Sequence, residues 1–199
     1  MKQFDFSTDF YNIGSGFIDF SIRFRMEYTR KIGNTMKTLI VYYSLEGNTD
    51  YAAGKISEIT GGELLRLVPK KAYPSKGFSK FIWGGKSAVM GEKPELEPYN
   101  IDLESYDLVV LGFPVWASNV TPPIRTFVED NREGLRAKAV AAFACQSGNG
   151  GKKALNKLKK LLGVGELAAE AIFIDPKQQH NEETDRDIEA FAGRISDGN

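Results

Sequence analysis

From residue 37 onward the apolar positions follow two alternating rhythms. Thr38 to Tyr43, Asp107 to Phe113 and Lys138 to Cys145 are nearly unbroken apolar runs. Strands covered on both faces of a parallel sheet need such runs. Glu63 to Val68 is more mixed in polarity, which suits a sheet edge, and Glu170 to Asp175 supplies a fifth strand. Between these runs apolar residues fall at helical spacing: Ala52, Ala53, Ile56 and Ile59; Ile124, Phe127 and Val128; Ala154, Leu155, Leu158, Leu161 and Leu162; Ile188, Phe191 and Ile195. Gly61 and Gly62 stop the first helix. Pro122 and Pro123 mark the start of the next, because proline in a first turn forfeits no hydrogen bond. Lys152, Lys153, Lys157, Lys159 and Lys160 mostly fill the solvent side of the helix that carries Leu155 and Leu158.

Strand and helix in regular alternation predict a doubly wound α/β fold: a five-stranded parallel sheet of order 2-1-3-4-5 in a three-layer α/β/α sandwich. The stretch from 70 to 100 exceeds a minimal crossover. Phe81, Ile82, Trp83, Ala88, Val89 and Met90 read as the second crossover helix, with Trp83 or Lys86 as candidates to cover a ligand or meet a partner. Residues 1–35 stand apart, rich in phenylalanine and alternating from Ile18 to Met26. They are expected to be an upstream extension that the natural chain, starting at Met36, lacks, with a peripheral hairpin as the alternative. Residues 36–199 form the domain.

In such sheets ligands bind outside the carboxyl ends of the strands, where the winding reverses, here between strands one and three. Three loops meet there: 44–49, 114–121 and 146–151. The first, Ser44-Leu45-Glu46-Gly47-Asn48-Thr49, combines hydroxyls with successive backbone N–H groups at a helix start. Free amides and the positive end of a helix dipole make a phosphate site without cationic side chains. Without a ligand, the same loop is a strand-to-helix turn with Ser44 and Asn48 as caps. The second holds Pro114, Val115, Trp116, Ala117, Ser118 and Asn119. Its indole offers a large planar contact at the mouth of the sheet, or a cap on the core. The third, Gln146, Ser147, Gly148, Asn149, Gly150 and Gly151, lets a flat ligand meet backbone directly. It is not a nucleotide P-loop, which would need glycine at Gln146 and a hydroxyl residue at Lys153.

Charge and composition narrow the function classes. Lys and Arg number 26 against 26 Asp and Glu, a formal net charge of +0 across 199 residues, and this balance argues against wholesale nucleic-acid binding. One cysteine, Cys145, precludes a disulfide within the chain and suits a reducing compartment. No apolar run approaches the roughly 20 residues that span a bilayer, and no signal peptide is evident. A soluble cytoplasmic protein is expected, with no membrane partner. Cys145 reads as a buried strand-end thiol and His180, the only histidine, as a surface residue.

Residues 37 to 195 resemble the flavodoxin family, whose first loop follows Ser/Thr-x-Ser/Thr-Gly-x-Thr. Ser44, Gly47 and Thr49 match, while Glu46 replaces a hydroxyl residue. Pro114-Val115-Trp116 resembles the family's second loop and Ser147 to Gly151 its third. The resemblance implies non-covalently bound FMN with its phosphate on Ser44 to Thr49. Trp116 would stack on or flank the flavin, and backbone groups of Trp116, Ala117, Ser118 and Asn119, with those of Gln146, Ser147, Gly148 and Gly150, would meet its polar edge. In this family a second-loop peptide can present its carbonyl to the reduced flavin; Ala117 lies near that point and turns over less easily than glycine. The Glu46 carboxylate is expected to face solvent while its backbone faces the phosphate.

The implied function is electron transfer with a redox partner protein. The alternative is an FMN oxidoreductase that takes electrons from NAD(P)H and reduces a quinone or another small acceptor. The net charge lacks the acidic surplus of many family carriers, and neither mode needs a catalytic side chain or a metal. A phosphorylated receiver of the same winding would need aspartates where Tyr43-Ser44 and Phe113-Pro114 stand. A flavin-free scaffold would follow if Glu46 pointed inward, because its charge would oppose the phosphate.

Overall fold

A computed structural model describes residues 36–73 and 88–196 of the chain. The expectations for the stretch before Met36, and for Phe81, Trp83 and Lys86, lie outside the described residues.

Five strands form one sheet: β1 (Thr38–Tyr42), β2 (Glu63–Arg66), β3 (Leu108–Pro114), β4 (Ala139–Gln146) and β5 (Glu170–Ile174). Their order is β2-β1-β3-β4-β5, every neighbouring pair is parallel, and the predicted winding is the observed one. Ile40 sits opposite both Leu64 and Val110, and Val110 opposite Ala141. Among the described residues the helices include, in chain order, α1 (Asn48–Thr60), α2 (Pro122–Asp130), α3 (Arg132–Arg136), α4 (Gly151–Leu162) and α5 (Glu182–Ser196).

Alternate strand residues divide between two cores, as a period of two dictates. Leu39, Val41, Val109, Leu111 and Phe113 pack on one side with Ile124 and Phe127 of α2 and Leu155 and Leu158 of α4. Ile40, Val110, Ala141 and Phe143 pack on the other with Ala52, Ala53 and Ile56 of α1 and Ile188 and Phe191 of α5. Phe143, Phe173 and Phe191 meet ring to ring, with centroids 5.7 to 6.2 Å apart. Burying one such side chain stabilises the fold by about 1.5–3 kcal/mol. Gly112 on β3 is a packing requirement: a Cβ there would fall inside the Phe143 ring.

Some boundaries differ from the sequence reading. Tyr43 lies just past β1, whereas Pro114 and Gln146 belong to strands, Pro114 pairing with Cys145 at the end of the β3–β4 ladder. Proline fits there because it closes the strand, and the next amide, Val115 N–H, donates to the Cys145 carbonyl at 2.8 Å. Ile59, assigned by spacing to the buried face of α1, is 47% exposed, since the core contact ends one turn earlier at Ile56. The short helix α3 and a 3-10 turn at Leu103–Ser105 have no periodicity long enough to announce them. Among the described residues no helix is long and apolar enough to cross a membrane, and no acidic, histidine or cysteine cluster has the arrangement to hold a metal ion.

Candidate functional site

At the carboxyl edge of the sheet the chain must turn from β1 into α1. Gly47 makes this turn with φ 95°, a left-handed conformation that costs glycine little. The Ser44 hydroxyl, only 5% exposed, accepts the Gly47 N–H at 3.1 Å. No side chain caps α1, contrary to the reading of Ser44 and Asn48 as caps. Instead Asn48 leaves the helix end: its Oδ1 accepts the Lys177 N–H at 3.0 Å, and its amide donates to Asp175 and Gln178. The first-turn amides of α1 have no partner within the helix. Beside them Thr49 is 1% exposed, and its Oγ1 is buried without a nitrogen or oxygen partner, its polar neighbour being the Cys145 thiol, a weak one.

Trp116 to Asn119 form a tight turn of another kind. Asn119 N–H donates to the Trp116 carbonyl at 2.9 Å, while Ala117 and Ser118 take φ of 48° and 57°. Left-handed geometry costs an L-residue about 1–2 kcal/mol. The turn is held from two sides. The Asn119 amide donates to the Ala117 carbonyl at 2.8 Å, and the same side chain accepts from the Lys157 ammonium on α4. Behind the turn, a Cβ on Gly150 would lie 2.5 Å from the Ser118 hydroxyl, so only glycine lets the second and third loops interlock. The Trp116 indole is half-buried and held edge-on by two phenols, Tyr43 at 5.7 Å and Tyr73 at 5.2 Å between centroids. Thus it both caps the core and forms a wall. Burial pushes the Tyr73 phenol up to about 12 and Tyr43 higher still, so both rings stay neutral at ordinary pH.

The third loop follows β4. Gln146 Oε1 caps α4 by accepting the Gly151 N–H at 2.8 Å, and the Ser147 hydroxyl donates to Asp175 at 2.6 Å. Asp175 leads a fourth loop that the sequence reading left out. It is 6% exposed, has φ of 40°, and its carboxylate also accepts from Asn48 at 3.3 Å and from Gln179 at 2.9 Å. It thereby ties the first loop to the third. Lys177 from the same segment lies against the first loop, its ammonium 2.8 Å from where a Cβ on Gly47 would stand. A cation does approach this loop, then, though from well over a hundred residues away in sequence.

The loops surround a cavity of about 330 Å³, within the range of small-molecule sites. Ser44, Leu45, Glu46, Asn48 and Thr49 line it from the first loop, and Pro114, Val115, Trp116 and Ala117 from the second. Gln146 and Ser147 line it from the third, joined by Cys145 and Asp175. Gly47, Ser118, Asn119, Gly148 and Gly150 do not reach the wall. Gly47, Ser118, Asn119 and Gly150 shape the turns beside it, while Gly148 is exposed with open space around it. Cys145 has a thiol pushed up to about 12 by burial, against which the neighbouring Thr49 hydroxyl lowers it, while the Asp175 charge adds a smaller rise. His180, as expected, is on the surface, where it pairs with Asp185 at 2.9 Å.

A family model for flavodoxin matches residues 37–182. The chain belongs to the flavodoxin family. Among solved structures, a flavoprotein of Lactobacillus acidophilus NCFM in complex with FMN is 25% identical, with a TM-score of 0.62, over 79% of this chain and 99% of that one. The FMN-free form of the flavoprotein from the same organism, solved by NMR, is 27% identical with a TM-score of 0.56, over 74% of this chain and 98% of that one. A candidate flavoprotein of Bacteroides eggerthii DSM 20697 shares the fold at 24% identity and a TM-score of 0.60, over 79% of this chain and 98% of that one. For this flavodoxin-family chain the sheet and its winding agree with those relatives. The flavodoxin match ends at residue 182, so it takes in the Asp175 loop as well as the three loops before it.

Proposed function

We propose that the cavity binds FMN non-covalently and that the chain carries electrons through it to and from a redox partner protein in the cytoplasm. The observation that carries this reading is the Thr49 hydroxyl, buried on the cavity wall at the N-terminal end of α1 with no nitrogen or oxygen partner and only the weakly bonding Cys145 thiol beside it. A buried hydroxyl left to a weak thiol partner is poorly satisfied, and a phosphate placed at this helix end would supply a strong acceptor. Family membership and the FMN complex of the Lactobacillus acidophilus relative point the same way. Glu46 lines the wall, and the first loop presents its backbone amides to a phosphate around it.

In this reading the amides from Leu45 to Thr49 and the Thr49 hydroxyl bind the phosphate. Gly47 allows the close turn, and Ser44 spends its hydroxyl on keeping that turn in shape. Trp116, fixed by Tyr43 and Tyr73, flanks the ring, while backbone groups of Ala117, Gln146 and Ser147 meet its polar edge. Ser118, Asn119 and Gly150 set the shape of those backbones from behind, and Gly148, exposed beside them, leaves its own backbone open to the ring's edge. Bound FMN would supply one- and two-electron redox chemistry, and the protein supplies binding, orientation and exclusion of water. The binding domain is residues 36–199, with 1–35 an extension; the intact mass of protein from its native host, beginning at Met36, would support this boundary.

Anaerobic mixing of the FMN-loaded protein with NADH or NADPH tests the carrier role. Slow bleaching of the visible band, accelerated by a flavodoxin reductase, is the expected result. Rapid bleaching by the nicotinamide alone would replace the carrier with an oxidoreductase acting on a quinone or other small acceptor.

A further inference from the structure

Two consecutive left-handed residues without glycine persist only when their surroundings hold them in place. Ala117 and Ser118 are such a pair, and Ala117 forms part of the cavity wall beside Trp116. The contacts that hold the turn converge on Asn119, whose side chain is in a residue only 7% exposed. Its amide N–H₂ donates to the Ala117 carbonyl at 2.8 Å, within the turn itself. Its Oδ1 accepts from the Lys157 ammonium. An amide whose oxygen accepts from a cation is polarised, and its N–H groups donate more strongly as a result. Lys157 is well placed for this task. Its helix, α4, is anchored in the core through Ala154, Leu155 and Leu158, which leaves the lysine on the flank of that face, where it reaches the turn. Of the lysines along α4, Lys159 pairs with Glu170 at 2.9 Å, so these two point in different directions with different work.

We propose that Lys157 is a positioning residue for the ring side of the site: through Asn119 it clamps the left-handed Ala117–Ser118 turn in the shape that lines the cavity. The inference rests on the FMN reading for its ligand, but the clamp itself is a property of the protein alone. Removing the ammonium leaves Asn119 Oδ1 buried without its partner and weakens the grip on the Ala117 carbonyl. The turn then relaxes, and Trp116 moves with it. The first loop, built on Ser44, Gly47 and Asn48, shares none of these contacts. The loss therefore falls on recognition of the ring and leaves recognition of the phosphate intact.

The test uses Lys157→Met, Lys157→Arg and the pair Ala117→Gly/Ser118→Gly, with FMN and riboflavin as probes and a Trp83→Phe background so that Trp116 is the fluorescent reporter. Lys157→Met is expected to weaken FMN and riboflavin by the same factor, roughly tenfold for one charged hydrogen bond, so that their ratio is unchanged. It should also red-shift Trp116 emission in the FMN-free protein. Lys157→Arg should restore both properties. In the double-glycine background, where the left-handed turn is relaxed, Lys157→Met should change affinity less than about twofold. Wild-type affinities and emission in Lys157→Met would overturn the proposal, as would the same loss with and without the glycines. If the wild-type chain binds FMN no better than riboflavin, the FMN reading fails, while Trp116 emission in the FMN-free protein still decides the clamp.

Discussion

The loop from Ser44 to Thr49 and the turn from Trp116 to Asn119 line one cavity, yet they hold their shape by different means. The first places glycine where φ is positive and closes its turn with a short-range bond from Gly47 to Ser44. It is tied through Asn48 to the 175–178 segment, and leaves first-turn amides free and the Thr49 hydroxyl without a nitrogen or oxygen partner. The second places alanine and serine where φ is positive and depends on Asn119, Lys157 and Gly150 to keep them there. One end stores unused hydrogen-bonding capacity and the other stores backbone strain. The first suits an anion that arrives with acceptors of its own. The second suits a planar group that needs a wall fixed in one position.

The largest expected effect breaks the first loop. Gly47→Val puts a β-branched residue at φ 95° and drives its Cβ against Lys177. It should weaken FMN by about 3 kcal/mol, roughly a hundredfold, and scarcely change riboflavin affinity, as read by quenching of flavin fluorescence. Trp116→Ala acts at the other end. It should weaken FMN and riboflavin alike, by about 2 kcal/mol or roughly thirtyfold, because a stacking wall is lost and the Tyr43 and Tyr73 edges with it. Equal losses from Gly47→Val on both probes would erase the distinction between the two ends.

Thr49→Val keeps the shape and removes the hydroxyl. Here the two states should separate: FMN binds about tenfold more weakly, while the FMN-free protein gains up to about 1 kcal/mol in urea unfolding, since a poorly satisfied buried hydroxyl has gone. A large loss of stability without ligand would mean that Thr49 already has a partner that matters. At the cavity floor, the rise of the Cys145 thiol from 9.0 to about 12 lowers its thiolate fraction roughly a thousandfold. Folded protein should resist iodoacetamide at pH 8 until urea exposes the thiol. The raised value also fixes a sign. Its contribution to stability is complete below the ordinary thiol pKa and is lost as pH rises from there through about 12. The smallest effect is on the surface. His180 and Tyr51 hold the Asp185 carboxyl below its usual value, so that contribution is present above the ordinary carboxylate range and fades as pH falls. Asp185→Asn should flatten the acid limb of the stability curve only slightly, because the pair lies at the surface, where water screens it.

The parts of the molecule legible in its sequence are those set by local pattern. Unbroken runs such as Leu108 to Phe113 announce central strands, Gly61 and Pro122 announce helix ends, and strand order follows from winding rules. The three loops at the reversal of winding could be named because each lies at the end of a readable strand. Asp175 and Lys177 could not be found that way, since what makes them part of the site is contact with Asn48 and Gly47 across the sheet. Their one sequence signal is position: Asp175 lies at the carboxyl end of β5, on the ligand edge of the sheet. The left-handed turn was equally hidden. Positive φ is read from glycine or asparagine, and Ala117 and Ser118 are neither. Ile59 failed in the opposite sense, because helical spacing names a face but not how far along the helix the core extends.

The most direct measurement is a paired titration of the FMN-free protein with FMN and with riboflavin, which share a ring and differ by one phosphate. A cavity with an anion cradle at the N-terminal end of α1 should bind FMN at least about a hundredfold more tightly than riboflavin, since several backbone amides and one hydroxyl act only on the phosphate. Equal affinity for the two would contradict the account.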